Sequence, residues 1–226
     1  MKKNVVFIIA VLFFGCNTDT ITNAYYKARV VQYDYNCAIC IIEFSDNLAE
    51  MIRIIGTSEN GLYNAANMNL NDYLIGQEVD LLVREPKTDE LKPCITLYPS
   101  HSYKNLFVSE VQLSDDLILN SPLKIKNHDC LSNADKKIAI CVDSVNNDSR
   151  CPTGTVCVWA GDATVRFSML VNNTKKTFAL HTNSTFQTDT IIDNYKIKLS
   201  SLTPYPSTAS DIKEEDYTAE ILVKEL

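Results

Sequence analysis

The chain has 226 residues, 46% of them hydrophobic and 22% charged, with a formal net charge of −7. These proportions are those of an ordinary globular protein and argue against a disordered or fibrous chain. Its basic residues never run beyond the pairs Lys2-Lys3, Lys136-Lys137 and Lys175-Lys176; an acidic chain without a basic patch is a poor fit to nucleic acid or to an anionic lipid surface.

The first sixteen residues, MKKNVVFIIAVLFFGC, place Lys2-Lys3 before an apolar run from Val5 to Phe14, then Gly15 and Cys16. This is the layout of a secretory signal peptide, and the apolar run is too short to span a ~30 Å hydrocarbon core as a helix. A small residue directly before a cysteine resembles the lipobox of bacterial lipoproteins. Phe13 departs from the aliphatic residue usual three positions before that cysteine. The resemblance implies a signal peptide over 1–15, cleavage before Cys16 and acylation of Cys16, so that the partner at this end is a membrane. Residues 16–23 are polar and suit a tether.

Beyond the tether the chain consists of short runs rich in Val, Ile, Tyr and Thr, punctuated by Asn, Asp, Ser, Gly and Pro. This pattern predicts an all-β protein. A first block over 24–119 carries predicted strands at 27–35, 38–45, 51–55, 78–84 and 104–113, with a short helix within 63–75. Cys37, then Asn69-Leu70 with Gly76 and Val79, then Cys94, resemble the layout of small OB-like β-barrel modules of Bacteroidota lipoproteins. That resemblance implies an OB-like barrel. A second block over 120–226 carries predicted strands at 123–126, 137–144, 156–171, 176–182, 190–200 and 216–224. Cys157, Trp159, Ala163, Val165, Phe167, Met169 and Val171 share odd positions. This period of two predicts one long strand with a buried face, Trp159 packed in the core and a bend at Gly161-Asp162. Tyr217, Ala219, Ile221 and Val223 alternate in the same way. Strands buried on one face predict an antiparallel β-sandwich.

Eight cysteines in a chain with a secretory leader predict disulfides. Cys151 and Cys157 would close a small ring before the long strand, worth about 2 kcal/mol in chain entropy. Cys37 and Cys40 lie three apart on a predicted strand and point to opposite faces, so they should not bond each other. One of the two is expected to bond Cys94 instead; Cys37, which follows the polar Asn36 at the strand start, is the choice over Cys40, the bond being worth about 4 kcal/mol and Cys40 then a free buried thiol. Cys130 and Cys141 would staple the hairpin around LSNADKK. A zinc set of Cys37, Cys40, Cys94 and His101 is admissible by residue type.

Asp148-Ser149-Arg150-Cys151-Pro152, then Cys157-Val158-Trp159-Ala160-Gly161-Asp162-Ala163, then Pro204-Tyr205-Pro206, resemble a family of bacterial exported proteins of unknown function. The resemblance implies location and fold rather than chemistry. Arg150 would pair with Asp148, Asp162 or a carbonyl, and Arg150 and Asp162 are the candidate binding residues. No HExxH, GxSxG or P-loop pattern occurs, His101, His128 and His181 lack metal-spaced neighbours, and no cofactor is expected. The reading is a non-catalytic binding module with a protein or glycan partner, anchored on the outer membrane or a periplasm-facing membrane. Two alternatives stay open: an enzyme or accessory acting on glycans at the domain junction, and a thiol-redox or metal-handling protein using Cys37, Cys40 and Cys94.

Overall fold

The computed structural model describes residues 24–95, 97–98, 101–208 and 211–226. The predicted leader, Cys16 and the tether lie outside them.

Strands β1 (Tyr26–Asp34), β2 (Ile39–Glu43), β3 (Leu62–Asn69), β4 (Glu78–Arg84) and β5 (Lys104–Leu113) close into a barrel in the order β1-β2-β3-β5-β4. β3 and β5 run parallel and the other neighbours antiparallel. This is the five-stranded Greek-key connectivity of an OB-like barrel. Its interior follows from strand alternation: in β4, Val79, Leu81 and Val83 turn inward while Glu78, Asp80 and Leu82 are only partly covered. They meet Val30, Ile42, Tyr63 and Leu106, all fully buried.

Two predicted elements of the barrel exchange character. The expected strand 51–55 is helix α1 (Leu48–Ile54). Leu48, Met51, Ile52 and Ile55 recur at helical spacing, Glu50 and Arg53 pair one turn apart at 2.5 Å, and Gly56 follows the last turn at φ +101°. The expected helix within 63–75 is strand β3. Its asparagines decide the matter, because their amides bond outside their own segment. Asn64 donates to the Tyr103 carbonyl at 3.2 Å, while the Asn67 amide exchanges two hydrogen bonds with the Val108 backbone at 2.7 and 2.8 Å. Asn67 thereby extends the β3–β5 pairing beyond the last backbone partners, Ala65 and Leu106.

The remaining strands form two four-stranded antiparallel sheets. One has the order β10-β9-β8-β7, from β7 (Cys130–Asn133), β8 (Ile138–Asn146), β9 (Thr164–Val171) and β10 (Thr174–His181). The other has the order β11-β12-β13-β6, from β6 (Pro122–Lys126), β11 (Asp189–Ile192), β12 (Tyr195–Thr203) and β13 (Thr218–Glu225). Their inner faces meet in one core that includes Ile140, Val165, Phe167, Met169, Ile197, Ile221 and Val223. Burying a side chain of this size contributes about 1.5–3 kcal/mol. The expected strand 190–200 is two strands, turned at Asp193, where φ is +52°.

The expected strand 156–171 starts only at Thr164. Ala163, Val165, Phe167, Met169 and Val171 are buried as their parity predicts, but Trp159 is 56% exposed and is no core anchor. The alternation breaks at Gly161, whose φ of +74° and approach to the Ser149 carbonyl leave no room for a side chain.

Barrel and sandwich pack against each other through a mixed junction. Leu74 contacts Ala139, Cys141 and Leu170. Arg29 of β1 bridges Glu78 and Asp129 at 3.0 Å each, and the buried Gln77 donates to Ser132 at 3.2 Å. Lys175 of β10 reaches across to the Tyr33 hydroxyl at 2.7 Å and to the Leu70 carbonyl. Gly76, at φ +91°, lies against the His128 carbonyl, which a Cβ would approach to 2.7 Å.

Candidate functional site

The segment between β8 and β9 is a long connection folded back on itself. Ser149 N–H donates to the Asp162 carbonyl at 2.7 Å and Cys151 N–H to the Ala160 carbonyl at 2.9 Å, which draws the two arms together. The Cys151–Cys157 disulfide closes the tip. Thr153 N–H donates to the Pro206 carbonyl at 2.9 Å, tying the tip to the segment after β12.

Arg150 holds this loop from within. The side chain is 5% exposed and its guanidinium forks onto Asp148, at 2.8 Å from Nε and 2.6 Å from Nη2. Its remaining donors reach the carbonyls of Leu202 at 2.6 Å and Pro204 at 2.8 Å. The guanidinium also lies 4.9 Å from the centre of the Tyr205 ring. Tyr217 donates to the second Asp148 oxygen at 2.9 Å. Burial alone would raise the Asp148 carboxyl, but the bonds from Arg150 and Tyr217 outweigh it and hold the group below the usual carboxylate range. Burial, followed by the bond to Asp148, pushes the Tyr217 hydroxyl up to about 12.

Asp162 does the equivalent work at the other arm. His181 Nδ1 lies 2.6 Å from one oxygen, while Thr182 Oγ1 and the Asn183 N–H donate to the other at 3.1 and 2.9 Å. Burial opposes its ionisation, and these bonds, led by His181, override it and lower the pKa. The His181 ring in turn packs against Phe186, 5.1 Å between centroids. Arg150 and Asp162 thus belong to separate clusters, and each uses its hydrogen-bonding capacity on the protein. That His181, Thr182, Asn183 and Tyr217 meet these carboxylates is not legible in the sequence, since they are brought there from distant segments by the pairing of β9 with β10 and the packing of the two sheets.

What this framework displays is apolar. Val156 and Val158 are fully exposed, and Trp159, Tyr205 and Phe186 are each about half exposed. Val156, Val158 and Trp159 stand on the braced loop itself, Tyr205 on the segment after β12 and Phe186 on the turn after β10.

Four other cysteines form the pairs Cys37–Cys94 and Cys130–Cys141, the latter joining directly opposed residues of β7 and β8. Their bond withdraws Cys37 and Cys94 from the zinc set. Cys40 lies buried in β2 with a free thiol that burial pushes up to about 12, which leaves it protonated and poorly nucleophilic at neutral pH.

At the domain junction lies an open cavity of about 640 Å³ lined by Asp72, Tyr73, Val111, Gln112, Leu113, Ala134, Lys137, Leu170 and Asn173. Its lining brings one carboxylate and one amine.

No protein-family model, curated protein or solved structure matches this chain.

Proposed function

We propose that this chain is an exported, non-catalytic binding module, anchored to a membrane of the cell envelope through lipid on Cys16. In this reading the disulfide-closed tip engages an apolar recess on a partner protein. The observation that carries it is the pairing of fully exposed Val156 and Val158 with a loop braced by a buried ion pair. A free loop would have to be ordered on association, at about 0.5–1.5 kcal/mol for each immobilised side chain, and this loop has met that cost in folding. Three disulfides fit an oxidising compartment.

The anchor is tested by Cys16→Ser. That variant is expected to appear in the soluble fraction and to lose incorporation of labelled palmitate. A variant that still sediments with membranes and takes up label ends the anchor reading. The tip is tested by a photoreactive phenylalanine at position 158, which should form one discrete protein adduct that disappears when Val156→Ser and Trp159→Ala are added. Because these side chains are exposed, stability should move by no more than about 0.5 kcal/mol. An adduct no stronger than that from the same probe at the exposed Lys176 would count against the tip as the binding surface.

A further inference from the structure

A second surface is built on the barrel and does not depend on the reading of the sandwich loop. The turn after β1 and the connection between β4 and β5 meet at the end of the barrel away from Tyr26, where β1 begins. They are fastened by the Cys37–Cys94 disulfide and by one buried side chain. Asn36 Oδ1 accepts from the N–H groups of Leu97 and Tyr98 at 3.0 and 2.9 Å, and its Nδ2 donates to the Tyr98 carbonyl at 2.9 Å. Asp34 closes the turn, accepting from the N–H groups of Asn36 and Cys37 at 2.8 and 3.2 Å.

All this bracing displays two tyrosines to solvent. Tyr35 and Tyr98 are 58% and 56% exposed, with ring centroids 5.8 Å apart and planes tilted by 54°. Tyr33 leads from them to the junction. Its ring meets Tyr35 edge-on at 6.1 Å, and its hydroxyl donates to the carbonyl of Tyr73, whose side chain lines the junction cavity. Tyr33, with the Lys175 ammonium 3.9 Å from its ring centre, thus forms the path that connects the platform to the cavity wall at Tyr73.

The chemistry of that path is specific. Exposed aromatic faces attract C–H groups through the negative face of the ring. The cavity offers the amide of Gln112 and the amide oxygen of Asn173, whose Nδ2 donates to Asp72 at 3.0 Å, and its two charged groups, Asp72 and Lys137, cancel. On a chain of net charge −7, a lining without net charge does not select an anion or a cation. A ligand with apolar C–H faces and a rim of uncharged hydroxyls matches both parts. We propose that the Tyr35–Tyr98 platform and the junction cavity together bind a neutral oligosaccharide, its rings stacked on the tyrosines and its hydroxyls bonded in the cavity.

The test is calorimetric titration of the purified full chain with neutral hexasaccharides, namely cellohexaose, xylohexaose, mannohexaose, laminarihexaose and maltohexaose, with hexagalacturonate as the acidic control. At least one neutral sugar is expected to bind with Kd below about 1 mM and the acidic one more weakly. Tyr98→Ala and Gln112→Ala should each weaken binding about tenfold or more, a loss near 1.4 kcal/mol. Tyr98→Phe, which keeps the ring, should retain it. Val156→Ser with Val158→Ser should leave sugar affinity unchanged, so that failure at the sandwich loop and failure here are told apart. Absence of heat with every neutral sugar up to about 5 mM overturns the proposal. So does sugar binding that survives Tyr98→Ala or Gln112→Ala in protein with an unchanged circular-dichroism spectrum. A photoreactive phenylalanine at position 35 that captures a protein, with no sugar bound, also overturns it.

Discussion

Replacing Arg150 with alanine is expected to cost the sandwich about 3–5 kcal/mol of stability, the penalty for breaking a buried ion pair and leaving one partner uncompensated. The residues left behind account for it: Asp148 keeps a buried carboxylate, while the carbonyls of Leu202 and Pro204 lose a charged donor. Arg150→Lys should recover little, because an ammonium cannot fork onto the carboxylate and reach two carbonyls at once. Urea denaturation followed by circular dichroism measures the effect, and a loss below about 1 kcal/mol would show that the pair is not what braces the loop.

A pH dependence accompanies this. The Asp148 and Asp162 carboxyls both ionise below their usual range in the folded chain. Their contribution is therefore complete above about pH 4, the ordinary carboxylate value, and is lost as pH falls through the lower folded values. Asp143 works in the opposite direction, since burial raises it despite the bond from Ser168. Stability of the native chain should fall on acidification below about pH 4, and Asp148→Asn should remove part of that slope.

Removing the Cys37–Cys94 bond by Cys37→Ser with Cys94→Ser is expected to destabilise the barrel by about 4 kcal/mol, from the chain entropy released when a loop of this length opens. The two residues are 57 apart in sequence, against 11 for Cys130–Cys141 and 6 for Cys151–Cys157, so this bond carries the largest entropic contribution of the three. Cys94 is exposed and Cys37 only partly covered, so the serines leave no core cavity and the change isolates the cross-link. Hydrogen exchange should rise at 91–95 and 97–98, which the Asn36 bonds would then hold without the cross-link, while β1 and β4 stay protected. A change under about 1 kcal/mol would mean that residual structure in the unfolded chain already keeps the two residues close.

The same bond shows how the oligosaccharide proposal depends on architecture. Tyr35 and Tyr98 are 63 positions apart, and nothing in either neighbourhood marks them as a pair. The barrel places the two connections side by side, and Asn36 fixes their separation. Loss of the disulfide should therefore weaken sugar binding while the tyrosines themselves remain.

Much of the fold was legible because strand parity is a local property. Val79, Leu81 and Val83, or Val165, Phe167 and Met169, declare a buried face in any context that supplies a sheet. The cysteine pairs were readable in part: a short hairpin brings Cys130 to Cys141, whereas Cys37 meets Cys94 because it lies in the turn before β2 and not, as strand parity suggested, on the strand that carries Cys40. Parity failed where local pattern and long-range bonding compete. Trp159 sits on the inward parity, yet the backbone is turned away by Gly161 and by the pairing of Ser149 with Asp162, and the ring faces solvent. Asn64 and Asn67 hold as a strand a segment whose alanines favour helix, because their amides find partners at Tyr103, just before β5, and at Val108 within it.

The sequence by itself determined an all-β chain and the bounds of strands such as 78–84 and 104–113, since these follow from periodicities of a few residues, and it favoured three cysteine pairs while leaving open whether Cys37 or Cys40 meets Cys94. Only the tertiary structure decided that Arg150 belongs to Asp148, that Asp162 meets His181, that Trp159 is exposed and that Tyr35 faces Tyr98. Each of those outcomes depends on hydrogen bonds and close contacts between residues distant in sequence, and such contacts are created by strand order and loop closure rather than encoded in any one segment.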